Sequence, residues 1–399
     1  MTTTRPPQKA PASPMRDLRY QEAEEDLRAV VRDLLADRCP PSALLARIET
    51  SQPNDGALWR SVAAELGCAG LLIPESRSGA GASYREAAVV AEETGRAAAP
   101  IPYLGSAVVA TVALLASGDD LLAPLASGEV TAALAVEFAR MPPAAGRGTG
   151  LRYGVRIGAP RPDDAPGAAR LTGTVSGVAD ALLADVLLVP ADGVPFGLYA
   201  VDADAAGLTM APVVSLDPTR PLADLSLDAV LARPVVTGEA GARAVAAALT
   251  AGAGMLACEQ LGVAQRCLDM TVAYLKERRQ FARPVGSFQA LKHRLADVWV
   301  AVTQARAAAR YAAACLAEGD ADAPVAVALA KAACGDAAVL AAQECVQLHG
   351  GIGFTWEHPA HLFLKRAKSG SLAFGTPDRH RAALASLVHL PPPPGGPGD

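Results

Sequence analysis

Three long apolar stretches dominate the second half of the chain and constrain its fold more than any other feature. From about position 236 onward, "ARAVAAALTAGAGMLACEQLGVAQRCLDMTVAYLKERRQ", "FQALKHRLADVWVAVTQARAAARYAAACLA" and "PVAVALAKAACGDAAVLAAQECVQLHG" follow one another with short connections. Long helices joined this way pack as an antiparallel bundle. Apolar residues make up 51% of the sequence and aromatic residues only 4%, so Ala, Leu and Val must fill the core. Alanine favours the helix and lets helices approach closely.

The first half divides in two. In "QEAEEDLRAVVRDLLADRC", Leu27, Val30, Val31, Leu34 and Leu35 form one stripe behind an acidic first turn, the pattern of an amphipathic helix. Further helices are expected in "LWRSVAAELGCAG" and "REAAVVAEETGRAAA", separated by the loop "IPESRSGAGAS". Short runs bounded by Gly, Pro and Asp then take over ("LAVEF", "ARLTGTVSGV", "DVLLVPA", "FGLYAVDA"), and these read as strands, with "APRPDDAPGAA" as a surface turn. The expected organisation is a disordered tail over 1–15, an N-terminal helical domain over 16–130, a middle β domain over 131–235, a C-terminal helical bundle over 236–390 and a second disordered tail over 391–399. No repeat of fixed period is found.

Composition narrows the function classes. A formal net charge of −5 without a basic block argues against a nucleic-acid surface. The seven cysteines show neither a CxxC pair nor zinc-like spacing, and no signal peptide precedes them, so reduced, mostly buried thiols in a cytoplasmic protein are expected. No apolar run reaches the roughly 20 residues of a membrane span on this reading.

"YLKERRQFARPVGSFQALKHRLADV" (274–298), "QECVQLHGGIGFTWEHP" (343–359) and the helix–β–helix order resemble the acyl-CoA dehydrogenase family of flavoproteins. The likeness runs over nearly the whole chain. It implies an α+β multidomain fold with a helical N-terminal domain, a middle β-barrel-like domain and a C-terminal four-helix-type bundle, assembled as a homo- or hetero-tetramer. It also implies FAD, an acyl-CoA or carrier-bound acyl thioester as substrate and an electron-transfer flavoprotein as acceptor. By the same resemblance Arg278, Gln280 and Phe281 reach the FAD of a neighbouring subunit, Gln347, Gly350 and Gly351 line that dinucleotide, and Thr376 and Asp378 lie near the flavin. A guanidinium at Arg278 suits phosphate oxygens independently of any resemblance.

Other positions depart from the family. "EFARMPPAAGRG" stands where relatives carry an acidic-Pro-Gly-Ser loop, Gly177 where many place an aromatic residue beside the isoalloxazine, and Ala179 where they place a hydroxyl. In most relatives a Glu directly precedes the Gly-Thr pair of the C-terminal motif and removes the α-proton of the thioester. Phe374 occupies that place in "SLAFGTPDRHR". A smaller group supplies the base ten residues before the Gly of "GVAQ", which is Gly252, and Ala253 replaces the usual neighbouring Arg.

A positioned base is needed for α,β-dehydrogenation. Glu259 is the carboxylate left in that apolar stretch. Seven residues from Gly252, it falls within about 20° of the same helical face but about 10 Å further along the axis. It is therefore expected as the base, as an acid paired with a bundle partner such as Arg or Lys, or as a residue facing a subunit contact. Among other acid-base residues, Glu277 reads as paired with a nearby Arg, His380 as an exposed helix-start residue and His349 as part of the dinucleotide turn. Two rival functions stand beside a self-sufficient dehydrogenase: a base-free subunit completing a hetero-oligomeric enzyme, and a non-enzymatic scaffold of the same fold.

Overall fold

A computed structural model of the chain describes residues 16–50, 54–143, 152–165 and 167–391. The acidic first turn opens α1 (Glu22–Arg38), where Gln21 and Glu24 cap reciprocally. α2 (Pro41–Ile48) begins with proline at its first position, and the Asp55 carboxylate caps α3 (Gly56–Arg60). Ser83 and Glu86 form the capping box of α4 (Tyr84–Ala97). A wide helical segment over Tyr103–Ala110 runs into α5 (Thr111–Leu115), and α6 (Leu122–Ala126) completes the helical N-terminal domain.

The chain then changes period. β1 (Ala132–Leu134), β2 (Val155–Gly158), β3 (Ala169–Ala179), β4 (Val186–Ala191), β5 (Gly197–Asp202), β6 (Leu208–Val213) and β7 (Leu222–Thr237) form a seven-stranded sheet in the order β1-β4-β5-β7-β3-β2, with β6 also on β7. In β7, Ala223, Leu225 and Leu227 are buried while Asp224, Ser226 and Asp228 are exposed, the alternation of a strand with one face inward. Its first part pairs with β3 and its end, from Arg233 to Thr237, with β5. A bridge from Arg156 on β2 to Asp192, just past β4, brings the sheet's ends together. The result is barrel-like, closed around Leu171, Leu187, Val189, Leu225 and Val230.

Five helices follow: α7 (Gly238–Glu277), α8 (Gln289–Glu318), α9 (Ala323–Leu348), α10 (Ala360–Leu372) and α11 (Pro377–Leu387), with a small hairpin of β8 (Arg279–Gln280) and β9 (Arg283–Pro284) between α7 and α8. α7 packs on α8, α9 and α4, so the two helical domains share one core. Its approach to α4 depends on reciprocal glycines. A Cβ on Gly262 would lie 1.9 Å from the Glu92 carbonyl, and one on Gly95 would lie 2.0 Å from the Glu259 carbonyl. By length and composition α7 and α9 are each long and apolar enough to span a membrane, which corrects the expectation that no stretch is. Both are mostly buried here, and a helix packed on several sides is apolar all round for that reason. The expected tails, 1–15 and 391–399, lie outside the described residues apart from position 391, as does all of "AAGRGTGL". All seven cysteines are free and buried.

Candidate active site

The two positions from which the resembling family draws its base meet in space. A Cβ built on Gly252 of α7 would lie 2.9 Å from Phe374 Cζ and 2.8 Å from Val109 Cγ2. The Phe374 ring therefore occupies the volume into which a side chain at 252 would project. It is held from several sides. The Phe374 amide donates to the Phe138 carbonyl at 2.8 Å, and His380 Nε2 donates to the Phe374 carbonyl at 2.8 Å. The Phe138 ring meets Phe374 edge-on, with centroids 5.5 Å apart and planes at 73°. His380 is buried, which corrects its reading as an exposed helix-start residue: it turns inward because a backbone carbonyl there needs a donor. An apolar cavity of 460 Å³ beside this layer is lined by Met141, Thr250, Val327, Ala383 and His380 among others, and none of the described residues lining it carries a carboxylate.

Glu259 is buried and faces Arg220 and Arg366. One carboxylate oxygen accepts from Arg220 Nη2 at 2.6 Å, and the other from Arg366 Nε at 2.8 Å and Arg220 Nη1 at 3.2 Å. Arg366 also reaches Asp217 at 3.4 Å and the Thr219 hydroxyl at 3.0 Å, while the Arg220 guanidinium lies 5.3 Å from the Phe138 ring centroid. Burial pushes the Glu259 carboxyl up, but the two guanidinium groups outweigh burial and hold it below the usual carboxylate range. Burial pushes the nearby Asp180 carboxyl up. A carboxylate with both oxygens committed to cations is a poor proton acceptor. Of the expectations for Glu259, the ion-paired one describes its surroundings, and the commitment of both oxygens to guanidinium groups counts against its use as a base.

The residues that the resemblance assigns to the dinucleotide fall into two groups. Tyr274 stacks on His349 with centroids 4.5 Å apart, which draws the end of α7 against the glycine turn after α9. Arg278, Gln280 and Phe281 thereby share one end of the bundle with Gln347, Gly350 and Gly351. Phe281 and Ala282 both adopt positive φ at the tip of the β8–β9 hairpin, at about 1–2 kcal/mol each, and Phe281 is left 86% exposed. Nothing lies within 4 Å of a Cβ built on Gly350 or Gly351.

An exposed guanidinium, two amides, open backbone and a projecting aromatic ring fit a dinucleotide presented from outside the chain. Thr376 and Asp378 are elsewhere. Pro377 packs on Gly335 of α9, twelve residues before Gln347, which is about 18 Å along that helix. Thr376 caps α11, and Asp378 pairs with Arg381 at 3.1 Å. Glu277 has no ion pair among the described residues.

On the β side, Gly177 adopts φ +60 at a bulge of β3 and has nothing within 4 Å of a built Cβ. Its amide is bound by Asp224 at 2.8 Å, so the space beside it is open rather than filled by an aromatic residue. Sequence reasoning missed Arg220, Arg366, Phe138 and Val109. A lone carboxylate in an apolar helix did signal that cations must face it.

Residues 21–129 match the family model described as Acyl-CoA dehydrogenase, N-terminal domain, and residues 239–388 match the one described as Acyl-CoA dehydrogenase, C-terminal domain. The acyl-CoA dehydrogenase IpdE2 of Mycobacterium tuberculosis is 34% identical over 369 residues, which cover 92% of this chain and 98% of that protein. Among solved structures, the ChsE4-ChsE5 complex from Mycobacterium tuberculosis gives a TM-score of 0.82 at 28% identity, covering 94% of this chain and 100% of that one. A variant of the Tcur3481-Tcur3483 steroid ACAD gives 0.80 at 31% identity, covering 92% and 98%.

Proposed function

Since the chain belongs to the acyl-CoA dehydrogenase family of flavin-dependent oxidoreductases acting on CH–CH bonds, we propose that it works as the base-free subunit of a hetero-oligomeric member, paired with a related chain that carries the catalytic glutamate. The observation that carries this reading is the Phe374 ring packed onto Gly252, which leaves neither position able to present a carboxylate. That two of the structural likenesses are to assemblies of two named chains, ChsE4-ChsE5 and Tcur3481-Tcur3483, supports it.

In this reading the hairpin bearing Arg278, Gln280 and Phe281, together with Gln347, Gly350 and Gly351, binds the FAD seated in the partner. The dinucleotide these residues would hold would supply a hydride acceptor for the β-carbon of the acyl thioester. The partner's glutamate takes the α-proton. This chain holds and orients the dinucleotide, and its own aromatic layer keeps substrate out of the equivalent place. An electron-transfer flavoprotein would be the acceptor for the reduced enzyme.

Stopped-flow reduction by a panel of acyl-CoAs tests the proposal. The chain alone, supplied with FAD, should not be reduced, and the co-purified hetero-complex should be. Replacing the partner's glutamate by Gln should abolish reduction, a loss on the order of 10²-fold or more. Full-rate reduction of flavin on this chain alone would overturn it.

A further inference from the structure

Away from both groups of site residues, α1, α4, α7 and α8 bring a set of arginines around two contiguous cavities. One, of 210 Å³, is lined by Arg32, Glu93, Arg96 and Arg266 among others. The other, of 360 Å³, shares Arg32, Glu93 and Arg96 and adds Arg28, Glu92, Gln265, Asp269 and Arg306. Five guanidinium groups thus face three carboxylates, in a chain whose overall charge is −5.

The carboxylates are already committed. Glu92 accepts from the Tyr20 hydroxyl at 2.6 Å and from Arg28 at 2.7 Å. Glu93 accepts two bonds from Arg32, at 2.6 and 2.9 Å. Asp269 accepts from Arg96 at 2.6 Å and from Gln265 at 2.7 Å. Arg306 reaches only the Gln265 side-chain oxygen, and Arg266 has neither an ion pair nor a hydrogen bond among the described residues. Burial and the neighbouring Arg96 disfavour the charge on Arg266, and burial and Arg310 disfavour that on Arg306. An arrangement this rich in forked donors and short of acceptors is completed by an anion offering several oxygens.

We propose that the two contiguous cavities together bind a compact phosphoryl dianion of the diphosphate class, one phosphoryl group facing Arg266 in the first cavity and the other facing Arg306 in the second, with Arg32 and Arg96, which line both, between them. This site is separate from the dinucleotide surface and from the aromatic layer. Gln265 lies thirteen residues from both Gly252 and Arg278, about 20 Å along α7 in either direction. The proposal does not depend on the subunit role argued above.

Calorimetric titration of the full-length chain and of its hetero-complex with inorganic pyrophosphate, at fixed chloride, tests it. One saturable site per copy of this chain is expected. Arg266→Ala and Arg306→Ala should each weaken binding about tenfold, while Arg278→Ala should leave it intact. ADP binding more tightly than pyrophosphate would identify a nucleotide as the source of the diphosphate, and equal affinity would identify the free anion. As a measurement without variants, pyrophosphate should slow phenylglyoxal modification of the peptides containing Arg266 and Arg306. Absence of saturable binding, unchanged affinity in both folded variants, loss of the site in Arg278→Ala or unaltered modification rates would each overturn the proposal.

Discussion

Phe374 and His380 form a unit in which an aromatic residue needs a neutral imidazole. His380 donates through Nε2 to the Phe374 carbonyl from a buried position, and burial lowers its pKa from 6.5 to about 4. The unfolded chain therefore takes up a proton near pH 6.5, and the folded chain does so only near pH 4. Stability from this residue is complete above the first value and is lost as pH falls toward the second, by about 3 kcal/mol in all. Urea unfolding of the native chain and of His380→Gln at pH 7 and pH 4.5 should show a stability difference that shrinks at the lower pH, because Gln keeps a donor but does not titrate. A constant difference would contradict the assignment. The family resemblance marked the two vacant base positions in the sequence. It could not expose their contact, since residues 122 apart in the chain meet only through the packing of α7 against the segment before α11.

At the scale of elements, Glu259 joins the loop before β7 to α7 and α10 through Arg220 and Arg366. Glu259→Gln leaves two buried guanidinium groups facing a neutral amide, and breaking a buried pair in this way costs about 3–5 kcal/mol. Its denaturation midpoint should fall markedly, while flavin reduction per folded hetero-complex should stay within a few-fold of native. A loss of reduction with unchanged stability would restore Glu259 as the base. The long helices α7, α8 and α9 were legible because apolar stretches of such length have few alternatives, and β3, β4 and β5 because turn residues bound them. The close crossing of α4 and α7 was not legible, since a helical glycine such as Gly95 or Gly262 does not name the carbonyl that will face it. The inward turn of Glu259 toward Arg220 was hidden likewise, because a helical wheel gives direction but not what stands there.

For the whole molecule, the separation between Thr376 and the Arg278–Gly350 end of the bundle makes the proposed cofactor site composite. One chain would offer the hairpin and glycine turn, and another the pocket. Arg278→Ala should therefore lower the flavin-to-protein ratio of the hetero-complex after gel filtration, since a phosphate loses a forked donor, without changing the denaturation midpoint of this chain alone. Full retention of flavin would remove Arg278 from the site.

The packing of Phe374 on Gly252 also bears on descent. An acidic replacement at 252 alone collides with the ring and with Val109. One at 374 alone empties a close-packed layer and leaves a charge among Phe138 and Val109, where it is costly before it is useful. Each first substitution toward a carboxylate here is harmful by itself, so under the proposed subunit role the change acts as a ratchet, and selection is expected to keep this gene and that of the proposed glutamate-bearing partner inherited together.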